Sequence, residues 1–407
     1  MFPKNFYWGA STSAHQVEGG LTNNWSKWEL KHSKEASEHY KNNRPHWYKM
    51  SEENYKDACH PDNYISGIAC DSYNQYKEDV KVLKELGLNA YRFSVDWSRI
   101  EPKKGEFSEE GIQYYKKLVK ELRKNNIEPF LTCWHWPIPL WLEEEGGLES
   151  KNIVKYFKRY VEFLVKNLGE DVKYWMTINE PIVISTASYL ISNWPPQKRS
   201  IFTFNKITFG KLVDMHKEAY KVIKEYDANL QLGIAKNNSY EESYNNNPIN
   251  KLITRVHRYF NNFRYLGLVH NHLDYIGLNF YFHNKIGIKG VRNDNDKVND
   301  MGWWMKPKSI YYVIKEVWDR YHLPICITEN GVADREDKYR EWWLDKTMEA
   351  LEMSLKEGVD LRGYMHWSLL DNFEWDSGYW PRFGLAARDR KIKDSGWYYK
   401  KLVEKYR

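Results

Sequence analysis

The chain has no long apolar run, and that removes one class of protein at the start. Its best candidate, Ile182 to Ile191, is short and interrupted by Ser185, Thr186 and Ser188. A membrane-spanning helix needs about 20 apolar residues. The first residues, Met1-Phe2-Pro3-Lys4-Asn5-Phe6, lack the apolar stretch of a secretory signal. Cysteine is scarce. There are four, Cys59, Cys70, Cys133 and Cys326, with no CxxC pair, and Cys133 and Cys326 lie inside apolar runs as small core fillers. A reduced, cytoplasmic location is expected. Dense basic blocks are also missing. The net charge of +6 comes from lysine spread along the sequence, which reads as a solvated surface with no nucleic-acid partner and no membrane partner. There is no P-loop, GxGxxG, HExxH or GxSxG. His270 and His272 form an HxH with no carboxylate or thiol cluster to complete a site, so no metal and no cofactor are expected.

Aromatics are abundant, with 19 Trp and 31 Tyr. Much of this is packing, but several Trp lie beside polar residues at strand-like ends: Trp134, Trp136, Trp367 and Trp375. Apolar sugar faces stack on such rings. Eight short β-like runs can be placed: 6–10, 90–94, 128–133, 174–177, 230–235, 275–280, 325–328 and 363–366. After the first, they recur every forty to sixty residues or so, the size of a strand–helix unit with loops. Helical patterns lie between them. Tyr73 to Leu86 is apolar at 73, 76, 80, 83 and 86 and ends at Gly87. Ile153 to Leu168 and Trp342 to Leu355 are similar. With no Pro/Gly/Ser linker, the pattern predicts an α/β fold: residues 1–407 as a single domain, one (β/α)8 TIM barrel with extended loops at the carboxyl ends of the strands. Three stretches, 19–70, 193–205 and 283–300, interrupt the rhythm as long loops at that mouth.

Two motifs carry chemistry. Thr177-Ile178-Asn179-Glu180-Pro181 and Thr328-Glu329-Asn330-Gly331 each put a glutamate after a buried strand. Two carboxylates facing across a barrel mouth are the minimum equipment for cleaving a glycosidic bond. Pro181 fixes its own φ and restricts Glu180, which aims the carboxylate. One carboxyl must be ionised and the other protonated, so their surroundings must differ. Arg92, ending the second strand, is a candidate cation beside the ionised one and should depress its pKa. His135, between Trp134 and Trp136, is read as a donor to substrate. Asn179 can donate to a sugar hydroxyl. Glu374 and Trp375 can bridge two hydroxyls and cover an apolar sugar face.

These motifs resemble glycoside hydrolase family 1, the β-glucosidase/β-galactosidase family, nearly end to end. The likeness runs through Phe6-Tyr7-Trp8-Gly9-Ala10-Ser11, Gln16-Val17-Glu18-Gly19, Tyr91 to Ile100, His135-Trp136-Pro137, Gly277 to Tyr281 and Trp367 to Trp375. The wording of Trp136 to Leu142 and Gly331 to Asp334 is nearest the archaeal branch. The resemblance implies Glu180 as acid/base and Glu329 as nucleophile. It implies Gln16, His135, Asn179, Glu374 and Trp375 on the glycone hydroxyls, with Trp367 as stacking platform. Asn279 and Tyr281 would support the nucleophile, with Arg92 beside it. No cofactor is implied. The substrate would be a β-glycoside or oligosaccharide ending in β-linked glucose or galactose, cleaved by double displacement. The alternatives are a β-mannosidase or transglycosylase of the same family, or a sugar-binding barrel that has lost catalysis. A homo-oligomer is compatible with all of these. The chain is shorter than most members in the loops after strands four and six, which leaves aglycone preference open.

Overall fold

Each of the eight apolar runs is a strand. The computed structural model describes residues 2–46 and 48–407. Its central strands are Tyr7–Ser11 (β1), Ala90–Ser94 (β2), Glu128–Trp134 (β3), Tyr174–Asn179 (β4), Gln231–Asn237 (β5), Ile276–Phe280 (β6), Ile325–Asn330 (β7) and Leu361–Trp367 (β8). They form a closed barrel, every neighbouring pair parallel, with β1 against both β2 and β8. Alternation explains the sequence pattern. Ala90, Phe130, Met176, Ala235, Cys326 and Met365 pack with Tyr7 and Tyr174 in one cluster inside the barrel. The residues between them, such as Tyr91, Leu131, Trp175, Ile234 and Ile327, join the larger core under the helices. Both faces are buried, so the strands read as continuous apolar runs.

The helices also follow their apolar stripes. Ile153–Leu168 buries Ile153, Tyr156, Phe157, Tyr160, Val161, Leu164, Val165 and Leu168, one face of a 3.6-residue repeat. Ser72–Glu85 and Arg340–Lys356 lie within two residues of the expected bounds. Among the described residues no helix is long and apolar enough to cross a membrane.

The three interruptions are more ordered than loops. Residues 19–70 contain the helices Asn24–Asn42 and Glu52–Ala58, and the first begins with a capping box between Asn23 and Ser26. Local capping and burial of Trp25 override a polar composition that carries no clean stripe. Within 193–205, a helix starts at Ile201, capped by Ser200. Within 283–300, His283–Gly287 pairs with Tyr240–Ser243 and Gly290–Val291 in a three-stranded sheet on the rim. Three strands also run further than their apolar residues suggest, β4 to Asn179, β5 to Asn237 and β7 to Asn330. Ladder partners such as Asn237 opposite Asn279 hold these polar ends, and they are the residues that reach the mouth.

Candidate active site

Backbone geometry aims both glutamates. Glu329 lies on β7 where the register to β6 shifts between Ile327 and Glu329. An extra residue at that point re-aims a side chain that strict alternation would send elsewhere. Glu180 sits between β4 and the helix Pro181–Thr186, with φ +43° and ψ 63°. The restriction by Pro181 predicts an extended Glu180, yet the residue is left-handed. A one-residue turn from strand to helix requires it, and Glu180 N donates to Ala235 O at 2.8 Å to hold it. Trp136 and Trp375 also have positive φ, +89° and +48°. Such conformations cost about 1–3 kcal/mol each and persist where surrounding structure over-determines them.

A buried network ties the two carboxyls together. The Arg92 guanidinium contacts Glu329 Oε1 through Nη1 and donates to Asn179 Oδ1 through Nη2 at 2.6 Å. Tyr281 OH donates to Glu329 Oε2 at 2.9 Å. Asn279, expected beside the nucleophile candidate, donates to Glu180 Oε1 at 2.7 Å, and Asn237 donates to the same oxygen at 3.1 Å. Asn179 Oδ1 accepts from Arg92, so its amide nitrogen donates to His135 Nε2 at 2.9 Å. That fixes the tautomer: His135 carries its proton on Nδ1, which has no acceptor among the described residues.

His135, Glu180, Tyr281, Glu329, Trp367, Glu374 and Trp375 line one cavity of about 180 Å³. Four of the expected residues stand behind its wall. They are Arg92, Asn179 and Asn279, already engaged as above, and Gln16. The Gln16 amide donates to Phe373 O at 2.6 Å and Asn372 Oδ1 at 3.1 Å, and reaches Glu374 Oε2 at 3.4 Å. It braces the loop that carries Glu374.

Comparison with known proteins agrees with this geometry. The model described as glycosyl hydrolase family 1 matches residues 1–270 and 260–407. Beta-glucosidase A of Thermotoga maritima is 30% identical over 460 aligned positions, covering 99% of this chain and 98% of that protein. Beta-glucosidase 13 of Arabidopsis thaliana is 31% identical, covering 100% and 93%. A solved beta-glucosidase from Thermotoga maritima in complex with glucoimidazole superposes with a TM-score of 0.86 at 29% identity, covering 100% and 99%. The chain belongs to glycosyl hydrolase family 1.

In this family 1 glycoside hydrolase the surroundings of the Glu180 and Glu329 carboxyls differ. Burial, then the charge of Glu329, push Glu180 up to about 7, against the donors Asn279 and Asn237. Glu329 is also raised by burial, so Arg92 does not bring it below the ordinary value as its position alone predicts. Arg92, Tyr281 and Asn279 all pull it back down. The cation touches Glu329, and Glu180 has only neutral donors on its oxygen. Burial and the nearby carboxylates raise Glu374 to about 8, and burial also raises Asp376. Burial and Arg92 hold His135 well below its usual range, so its ring is neutral.

The family 1 cavity includes residues that the motifs do not reveal. Asn237 was hidden because the apolar run of β5 stops at Ala235. Trp194, Trp303 and Phe383 come from segments far apart in sequence. Their aromatic character was the only signal, and 16% of the chain shares it.

Proposed function

We propose that this enzyme is a retaining β-glycosidase of the β-glucosidase type, acting in the cytoplasm on terminal β-linked glucose or a related sugar. The observation that carries the reading is the asymmetry between the two glutamates. Glu329, in contact with Arg92, is the nucleophile, and Glu180, held protonated to about pH 7, is the acid that protonates the leaving oxygen. When Glu329 becomes a glycosyl ester its charge disappears, and with it the second cause of the raised Glu180 pKa. Glu180, having given its proton to the leaving oxygen, is then less costly to keep as a carboxylate and serves as base, taking a proton from the attacking water. Tyr281 holds Glu329 in line. The Nδ1–H of His135 is a neutral donor with no acceptor among the described residues, suited to a glycone hydroxyl. Glu374 accepts from hydroxyls, and Trp367 and Trp375 cover the sugar's faces. The four cysteines are free, consistent with a reducing compartment.

The 460-position alignment is longer than this chain of 407 residues, so that relative carries segments this chain lacks. The test is a slow-turnover fluorosugar with a good leaving group. Peptide mapping should find it on Glu329, and the first-formed product should keep the β configuration. A label on another residue, or an inverted product, overturns the assignment.

A further inference from the structure

The helix Pro248–Arg258 is turned inside out. Its inward side is polar: Asn250 donates to Asn245 Oδ1 at 2.7 Å and accepts from Ile288 N at 2.9 Å. Thr254 donates to the carbonyls of Asn250 and Ile286 at 2.8 and 3.2 Å. Its outward side is apolar. Ile249, Leu252 and Val256 are 57%, 61% and 48% exposed, and Tyr259 and Phe260 extend the stripe past the helix end. Spacings of three and four place them on one face. An ordinary surface helix shows the opposite arrangement. A contiguous exposed apolar patch marks a docking surface.

Charge decides what docks there. Residues 244–273 contain Lys251, Arg255, Arg258 and Arg264 and no Asp or Glu. Residues 195–213 contain four lysines and arginines, again with no acid, and present Phe202 at 86% exposure. The two segments meet where Arg264 donates to Asn205 Oδ1 at 3.3 Å and lies over the rings of Phe209 and Phe260. Arg258 pairs with Glu316 and Lys198 with Glu149, whereas among the described residues Lys251, Arg255 and Arg264 have no carboxylate partner. A second copy docked by two-fold symmetry would bring this face against itself, cation to cation, with no acid in either segment to neutralise it. An anionic bilayer offers headgroups for the cations and an acyl boundary for the stripe.

We propose that this face docks the protein on an anionic lipid surface, contrary to the absence of a membrane partner expected from the spread of lysine along the sequence. Both segments follow barrel strands at their carboxyl ends, β4 and β5. The stripe is tied to the mouth through Asn261, whose carbonyl accepts from Lys236 at 2.8 Å, one residue from cavity-lining Asn237. Docking therefore sets the cavity beside the lipid headgroups. With the glycosidase reading above, that placement favours amphiphilic glycosides with an apolar aglycone; the docking itself does not depend on that reading.

The test is co-sedimentation of the full chain with phosphatidylglycerol/phosphatidylcholine vesicles and with phosphatidylcholine alone. Binding is expected to the anionic vesicles only, and high salt should release it. The double variant Lys251→Glu/Arg255→Glu should bind about 25-fold more weakly or worse, at about fivefold per cation removed. The double variant Leu252→Ser/Val256→Ser should also lose binding, with circular dichroism and turnover of a soluble aryl glycoside unchanged. No pelleting with anionic vesicles overturns the proposal. So does binding that neither variant weakens. A wild-type dimer in sedimentation velocity that Leu252→Ser/Val256→Ser converts to monomer also overturns it, because the occupant is then a second copy.

Discussion

Glu180 concentrates the conflict between stability and chemistry in one residue. It is buried, left-handed and raised to about 7. In the folded state it keeps a proton that the unfolded chain releases near 4.5. The folded state therefore binds more protons between these values, and this group's contribution to stability falls as pH rises from 4.5 to 7. At about 1.4 kcal/mol per unit the loss is roughly 3 kcal/mol above pH 7. Glu180→Gln has no proton to lose. Calorimetry should find its Tm close to wild type at pH 4.5–5 and about 2–4 °C higher at pH 8. An equal Tm at pH 8 would contradict the raised value. The role in turnover calls for a second variant. Glu180→Ala should slow substrates with poor leaving groups by about 10²–10⁴-fold and activated ones far less. Azide should partly restore the activated ones by replacing water at the second step. Equal slowing of both, with no effect of azide, would remove Glu180 from the acid role.

Among the elements, the ends of β7 and β8 set the active-site geometry. Gly331 follows β7 at a point where an added Cβ would meet the carbonyl oxygen of Trp367 at 1.8 Å. That neighbour is backbone at the end of β8, so it cannot rotate away. Gly331→Ala should cost about 3 kcal/mol by overpacking. It should also lower kcat/KM, because Glu329 and Trp367 both lie beside the clash; a denaturant midpoint and aryl glycoside kinetics would show both effects. The 372–377 loop after β8 sets selectivity. Gln16 braces it, and Asn193 donates to Asp376 Oδ2 at 2.9 Å. Glu374 and Asp376 both line the cavity, where burial and the neighbouring carboxylates already raise Glu374 to about 8, so the site disfavours any further negative charge. An aryl β-glucoside should therefore be turned over well and its 6-phosphate poorly. A preference for the phosphorylated compound would overturn the role given to Glu374.

At the scale of the whole molecule, the barrel closes by joining the chain's two ends. β1 pairs with β8, and the last helix, Asp394–Tyr406, packs across that seam. Tyr399 OH donates to Gly9 O at 3.1 Å, and the Tyr406 ring lies 4.9 Å from that of Phe2. No strand has a free edge inside the barrel, so no part of it can dissociate without breaking the ring of hydrogen bonds. The chain should melt as one domain. Tryptophan fluorescence and far-ultraviolet circular dichroism should follow a single coincident transition, and removing residues 394–407 should prevent folding. Two separated transitions would show that the chain divides.

The order of strands and helices, the closed barrel and the two glutamates at its mouth were legible in the residues themselves. Burial on both faces makes barrel strands apolar throughout, and the motif carboxylates directly follow such runs. The small rim sheet and the helices inside 19–70 were not legible, because short polar elements form only against neighbours brought from elsewhere in the chain. The protonation of the pair also belonged to the tertiary structure. Arg92 and Glu329 lie 237 positions apart, and Glu180 takes its donors from β5 and β6. A pKa depends on which charges and donors lie within a few ångströms and on how much water is excluded. Sequence names the groups that can titrate, but only the closed barrel decides which of them face one another.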